Sequence, residues 1–214
     1  KSNSYALSQY NMSTVAQKLV NLAISEIPME RIDPEKADLE RQITVKLTAS
    51  TIKQFLDWEG HSLYTMLDEV ADELQNIKII IDSKDAKGNP HRDRVNPFSH
   101  THYSEGYLEI SFEPYMNQHL LKTAQTTRYF LSETKQFDRK YTVRLYEVCQ
   151  SILYLKDQGR EFSLDELKSI VGAKTTEFDE KTGEEVEKDK YKRYTDFRRF
   201  VLIPSQEEME RSGR

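Results

Sequence analysis

Between Ser50 and Phe112 the apolar residues change their spacing, and that change limits what the chain can fold into. From His61 to Asn76, Leu63, Leu67, Val70 and Leu74 recur as one stripe of an amphipathic helix. From Ile77 to Asp82 the run is β-branched. From Tyr107 to Phe112, Leu108, Ile110 and Phe112 alternate with Tyr107, Glu109 and Ser111, the period of a strand with one buried face. Upstream, Val15, Leu19, Leu22 and Ala23 mark a helix that starts near Ser13 and stops at Pro28. After a polar connector, Met29 to Arg41, residues Ile43, Val45 and Leu47 alternate with Thr44, Lys46 and Thr48 as a strand. Ser50 is placed to cap a short helix through Trp58, and Gly60 breaks the chain. A third extended piece, Val95 to Tyr103, follows the turn-rich segment SKDAKGNPHRDR. Two helices joined by a tight turn and followed by a hairpin are the order of a winged helix-turn-helix.

The second half starts the same series again. A short helix is expected around Tyr115 to Leu121, within a segment that is otherwise hard to read up to Phe137. A long helix begins near Arg139, its stripe made by Tyr141, Leu145, Val148, Ile152 and Leu155, and Gly159 ends it. Ser163 and Glu166 have capping-box spacing, opening a helix to Val171 that Gly172 stops. A hydrophilic excursion, Lys174 to Asp189, separates it from a last helical segment, Tyr191 to Met209, which Pro204 interrupts. The expectation is an α+β chain of tandem winged helix-turn-helix units, residues 1–137 and 138–214, the second lacking its C-terminal hairpin in this chain.

Several classes are disfavoured. No stretch approaches the ~20 apolar residues of a membrane span. The single cysteine, Cys149, leaves no disulfide framework or cysteine zinc site and fits a reducing cytoplasm. The opening KSNSYALSQY lacks the apolar core of a signal peptide. The chain has no phosphate-binding glycine loop and no G-x-S-x-G elbow. His100 and His102 would share one strand face, but they read better as polar strand residues than as metal ligands. No catalytic residue, metal or cofactor is expected. The formal net charge of −5 speaks mildly against a nucleic-acid partner, although arrangement matters more than the sum.

That arrangement is uneven. Lys188 to Phe200 holds Lys188, Lys190, Lys192, Arg193, Arg198 and Arg199 against Asp189 and Asp196, interleaved with Tyr191, Tyr194, Phe197 and Phe200. On a helix the aromatic side can pack while the guanidinium side meets phosphates or base edges, as a major-groove reader requires. An ordinary solvated basic face has the same composition. The corresponding first-half helix carries Asp68, Glu69, Asp72 and Glu73 and would repel phosphate. The first unit's expected wing offers Lys84, Lys87, Arg92 and Arg94 as weaker contact candidates.

These blocks resemble a family, the initiator replication proteins (Rep) of iteron-containing, theta-replicating plasmids. Lys1-Ser2-Asn3 is similar to its K-x-N opening, LYTMLDEVADEL (Leu63 to Leu74) to its first helix-turn-helix, and GYLEISFEPYMNQHLL (Gly106 to Leu121) to its strand and following turn. KYTVRLYEV (Lys140 to Val148) is similar to its Y-x-x-R-L-Y-E block, and YTDFRRFVLIPSQEEM (Tyr194 to Met209) to its recognition helix. The resemblance implies a first unit for dimerisation and minor DNA contacts. It implies a second unit that reads repeated origin sites through Lys190, Lys192, Arg193, Tyr194, Thr195, Arg198 and Arg199. Arg193 is then expected to read a base, and Arg198 and Arg199 to clamp phosphate, unless one turns inward to Asp196 or Asp165. The implied partners are double-stranded origin DNA, a second copy as a homodimer, and a host initiator and helicase, with no membrane. The implied function is a cytoplasmic, non-enzymatic replication initiator that also represses its own promoter. The alternatives are a winged-helix transcriptional repressor, a nicking endonuclease and a protein-interaction module.

Overall fold

Four helices of this chain begin where a hydroxyl accepts an otherwise unpaired amide. In the computed structural model, which describes residues 2–27, 40–60, 62–84, 87–104, 106–121, 131–153, 159–178 and 185–212, Ser2 accepts from the Tyr5 amide to open α1, Asn3–Ala6. Ser13 accepts from Ala16 to open α2, Thr14–Ser25. Most of the expected connector, together with Pro28, His61, Leu155 and the tip of the 174–189 excursion, lies outside the described residues. Strand β1, Ile43–Thr48, runs directly into α3, Ala49–Leu56. The cap of α3 is Thr48 rather than Ser50, because the helix starts at the residue where the strand lets go. Then come α4, Leu63–Asn76, β2, Ile79–Lys84, β3, Pro90–Val95, β4, Phe98–Ser104, and β5, Tyr107–Phe112.

The sheet order β1-β5-β4 closes the first unit. Its antiparallel register sets Ile43, Val45 and Leu47 opposite Phe112, Ile110 and Leu108, so the apolar residues of both strands share the face that α2, α3 and α4 cover. Strand one paired to the last strand, with two helices between them, is the winged-helix arrangement. The wing itself is β4–β5. The segment expected to be the wing is a separate two-stranded hairpin, β2–β3, inserted between α4 and β4. Pro97 separates the two hairpins, and Ile79 and Ile81 bury β2 under the N-terminal segment, where Gln9 bridges Ile80.

A 3-10 turn at Pro114–Met116 leads to α5, Asn117–Leu120, then α6, Leu131–Lys135, and α7, Lys140–Ile152. From Tyr141 to Val148 every residue of α7 is buried, because it lies between α1 and α2 on one side and the C-terminal helix on the other. Tyr146 packs edge-on against Phe137 and its hydroxyl donates to Glu133, as a structural role for the ring requires. Next come α8, Leu164–Ile170, β6, Lys174–Phe178, and β7, Glu185–Asp189. The hydrophilic excursion is therefore an ordered hairpin at its base, with Lys174 opposite Asp189. The chain continues through α9, Tyr194–Phe197, a five-residue π turn, Arg198–Leu202, and α10, Ile203–Arg211. Tyr141, Leu145, Val171, Ala173, Phe197 and Val201 form the second core. Among the described residues no strand follows α10, and no helix is long and apolar enough to cross a membrane.

Both ends of α8 follow from its sequence. Ser163 accepts from the Glu166 amide. At the other end Gly172 donates to Ser169 and Ala173 to Lys168, the two bonds of a Schellman motif. Gly172 has φ 74°, and a Cβ placed there would lie 2.6 Å from the Tyr10 carbonyl oxygen. Gly172→Ala must strain the left-handed conformation, costing roughly 1–2 kcal/mol, and must also part α8 from the N-terminal segment. A urea titration should show a loss above about 2 kcal/mol, whereas a loss under about 0.5 kcal/mol would show that the two segments do not meet this closely.

One buried polar cluster ties the halves together. The Arg144 guanidinium, 1% exposed, donates to the Ser8 and Ile170 carbonyls, to the Tyr10 hydroxyl at 2.7 Å and to the Glu147 carboxylate. It also lies 3.9 Å from the centre of the Tyr10 ring. Glu147 accepts in addition from the Asn21 side chain at 3.1 Å. Arg144 and Glu147 therefore pair with each other and reach both preceding segments and the end of α8, not the following helices alone. Burial raises the pKa of Tyr5 and of Tyr10; Glu147 adds to the rise in both, and Arg144 opposes it. A raised folded pKa means stability that is complete below about pH 10 and declines above it, since the unfolded tyrosines ionise first. Each such tyrosine should steepen the loss by about 1.4 kcal/mol per pH unit. Unfolding titrations between pH 8 and 12 should steepen downward beyond about pH 10; no added loss between pH 10 and 12 would contradict the burial.

Candidate nucleic-acid interface

The last helical segment is anchored by Phe197 and Val201, both 0% exposed, against Tyr141 and Leu145 of α7 and Val171 and Ala173 beyond α8. That contact fixes which side of the segment faces outward. Arg193, Tyr194, Thr195, Arg198, Arg199 and Phe200 are all exposed. Tyr194 and Phe200 keep 53% and 50% of their surface accessible, large apolar areas that a helix in a core would not leave bare.

The approach to this helix is held by Asp189, which the charge pattern counts only as an acid within the basic block, and by Lys168, which it does not single out. Lys168, 1% exposed, sends its ammonium to the Asp189 carboxylate at 2.9 Å. The other Asp189 oxygen accepts from the Tyr191 amide at 2.9 Å. Burial works against the Asp189 anion, but the Lys168 hydrogen bond and the Tyr191 amide outweigh it and hold its pKa below the ordinary value. The carboxylate therefore stays charged at neutral pH and fixes the turn from β7 into α9. Tyr191 in turn stacks on Phe200, ring centres 6.0 Å apart. The Arg199 guanidinium lies 5.3 Å from the centre of the Phe200 ring, and the Lys190 ammonium 5.5 Å from that of Tyr191. A stacked aromatic pair flanked by two cations forms the middle of the outward surface.

The expected contact residues thus share one surface, with differences among them. Arg193 pairs with Asp196 at 3.0 Å, the partnership foreseen for Arg198 or Arg199. Among the described residues no carboxylate pairs with Arg198 or Arg199. Lys190 and Lys192 are exposed on the turn before α9. The weaker candidates lie elsewhere. Lys87 is at the β2–β3 turn, and Lys84 ends β2 with its side chain outside the described residues. Arg92 makes a two-point contact with Asp82 at 2.6 and 3.0 Å. Arg92 and Arg94 line a polar cleft of about 390 Å³ whose other wall includes Asp165, Glu166 and Glu187. They are set against the acidic side of α8 and the β6–β7 hairpin. On α4, Glu73 accepts from the Ser13 amide and hydroxyl, so one of the four carboxylates is a cap for α2. His100 and His102 stack 6.3 Å apart on β4, and no described cluster could hold a metal ion.

Sheet order β1-β5-β4 around α2, α3 and α4, then a second helical unit that turns arginines outward from an apolar anchor, defines a winged-helix architecture. The chain belongs to the initiator replication protein family: residues 1–150 match the family model described as "Initiator Replication protein, WH1". A curated relative, the "Replication initiation protein" of Escherichia coli, is 25% identical over 177 residues, covering 80% of this chain and 53% of its own length. The chain therefore spans about half the length of that relative. A solved structure, "Crystal structure of Pi initiator protein in complex with iteron DNA", superposes with a TM-score of 0.60 at 18% identity, over 97% of this chain and 87% of that one.

Proposed function

We propose that this chain is the DNA-reading part of a plasmid replication initiator that binds repeated sites in double-stranded origin DNA and carries out no chemistry on them. The observation that carries the proposal is the outward surface of Arg198, Arg199 and Phe200 backed by buried Phe197 and Val201. It supplies guanidinium donors, without competing carboxylates among the described residues, on a rigid base. Tyr194, Thr195, Lys190, Lys192 and Arg193 border that surface and complete the proposed contact set. The similar solved structure, an initiator in complex with iteron DNA, supports the same reading. The division of labour is at about residue 137: the first unit assembles with a second copy, and the second reads DNA. The exposed Asp68, Glu69 and Asp72 of α4 favour a protein partner over phosphate for the first unit. Host initiator and helicase partners and a cytoplasmic setting follow from the initiator role.

The test uses the full-length protein and a pool of random duplexes. Selection should enrich one motif, bound at least about a thousandfold more tightly than a scrambled duplex, with affinity falling steeply as salt rises. Equal affinity for all duplexes would refute sequence reading. Supercoiled DNA carrying the motif should stay un-nicked with Mg²⁺ or Mn²⁺ present, and nicking would overturn the non-enzymatic part.

A further inference from the structure

The π turn in the outward helix has a specific cause in the sequence. In an α-helix the amide of residue 204 would donate to the Phe200 carbonyl. Residue 204 is proline, which has no amide hydrogen and whose ring collides with that carbonyl. The chain widens instead: the Ile203 amide donates to the Arg198 carbonyl, five residues back. π turns of this kind are rare and gather at functional sites.

The widening changes which residues share a face. Phe197, Val201 and Ser205 are buried, at 0%, 0% and 1% exposure. An α-helix advances about 100° per residue, so anchors spaced by four residues would drift by about 40° at each step, about 80° over the three. The π turn absorbs that drift and keeps all three anchors inward. The three consecutive residues Arg198, Arg199 and Phe200 then all remain exposed between the first two anchors. We infer that Pro204 is a positioning residue for DNA recognition: through the π turn it sets the register of Arg198, Arg199 and Phe200 against the buried anchors, and hence the seating of the helix on the duplex. The inference rests on the DNA-reading role proposed above for this helix.

Pro204→Ala restores the missing donor and permits a continuous α-helix, which rotates the two arginines relative to Phe197. The variant should fold with equal or higher thermal stability, since an interior proline disfavours a helix. Its preference for the selected duplex over the scrambled one should fall at least tenfold. A double-mutant cycle separates positioning from plain structural support. In the full-length protein, Arg199→Ala should cost affinity for the selected duplex, and the cost should shrink at least fivefold in the Pro204→Ala background. Additive effects, or a preference within twofold of the parent, would overturn the inference while leaving the helix as the DNA reader. So would backbone NMR showing that the π turn persists in Pro204→Ala. If Arg198→Ala and Arg199→Ala are both silent in the parent protein, the DNA-reading role itself fails, and the inference with it.

Discussion

Arg144→Ala should lower the stability of the folded chain by about 3–5 kcal/mol, because it leaves the Glu147 carboxylate buried and without its cation. Four groups depend on this guanidinium: the Ser8 and Ile170 carbonyls, the Tyr10 hydroxyl and Glu147. The first and third belong to the N-terminal segment, the second to the end of α8 and the fourth to α7. Removing the guanidinium thus takes a donor from buried acceptors in three segments at once, and a carbonyl left unpaired by it costs about 1–3 kcal/mol. At this chain length the thermal midpoint should drop by roughly 6–20 °C. A companion variant isolates the cause. Arg144→Met combined with Glu147→Leu removes both charges and keeps the volume, so it should recover part of the loss. A single variant that costs under about 1 kcal/mol would mean that this cluster is not what joins the N-terminal segment to α7 and α8.

The second large effect is on binding. Arg198→Ala together with Arg199→Ala should weaken association with the selected duplex by a hundredfold or more and flatten the salt dependence by about two phosphate equivalents. Both side chains are exposed, so thermal unfolding should move little, on the order of 0.5 kcal/mol. Arg193→Ala should act differently. Arg193 is already paired with Asp196, and to read a base it must first leave that carboxylate. Asp196→Ala should therefore strengthen binding modestly if Arg193 touches DNA and leave it unchanged if it does not. Fluorescence anisotropy at several salt concentrations measures all three variants; a double variant that binds like the parent protein would move attention to the β2–β3 hairpin.

The residues themselves explain how much of this was legible beforehand. The stripe Leu63, Leu67, Val70 and Leu74 and the alternation Leu108, Ile110 and Phe112 mark α4 and β5 because periodicity is a local property. The Ser163 cap and the Gly172 stop are equally local, and both are realised in α8. Strand partners are not local. β1 pairs with β5 across nearly half of the first unit, so the sequence alone could not show that β4–β5 is the wing and β2–β3 an addition. The β6–β7 hairpin escaped because it is charged. Its Lys174 is held between Glu187 across the pair at 3.2 Å and Asp165 of α8 at 3.5 Å, contacts that composition does not reveal. At the interface the basic residues were visible as a block. Lys168 was not, since a helical lysine ordinarily reads as solvated, and only the fold brings it to Asp189. Phe200 and Tyr191 were visible as aromatics but not as a stacked pair on the outer surface.

The proposed DNA contact runs along the surface from Lys190 to Phe200. Amide hydrogen exchange of the full-length protein, measured free and then saturated with the selected duplex, tests it without any substitution. New protection should be concentrated between residues 190 and 203, with little change in α4. Protection confined to the β2–β3 hairpin, or absent from 190–203, would contradict it.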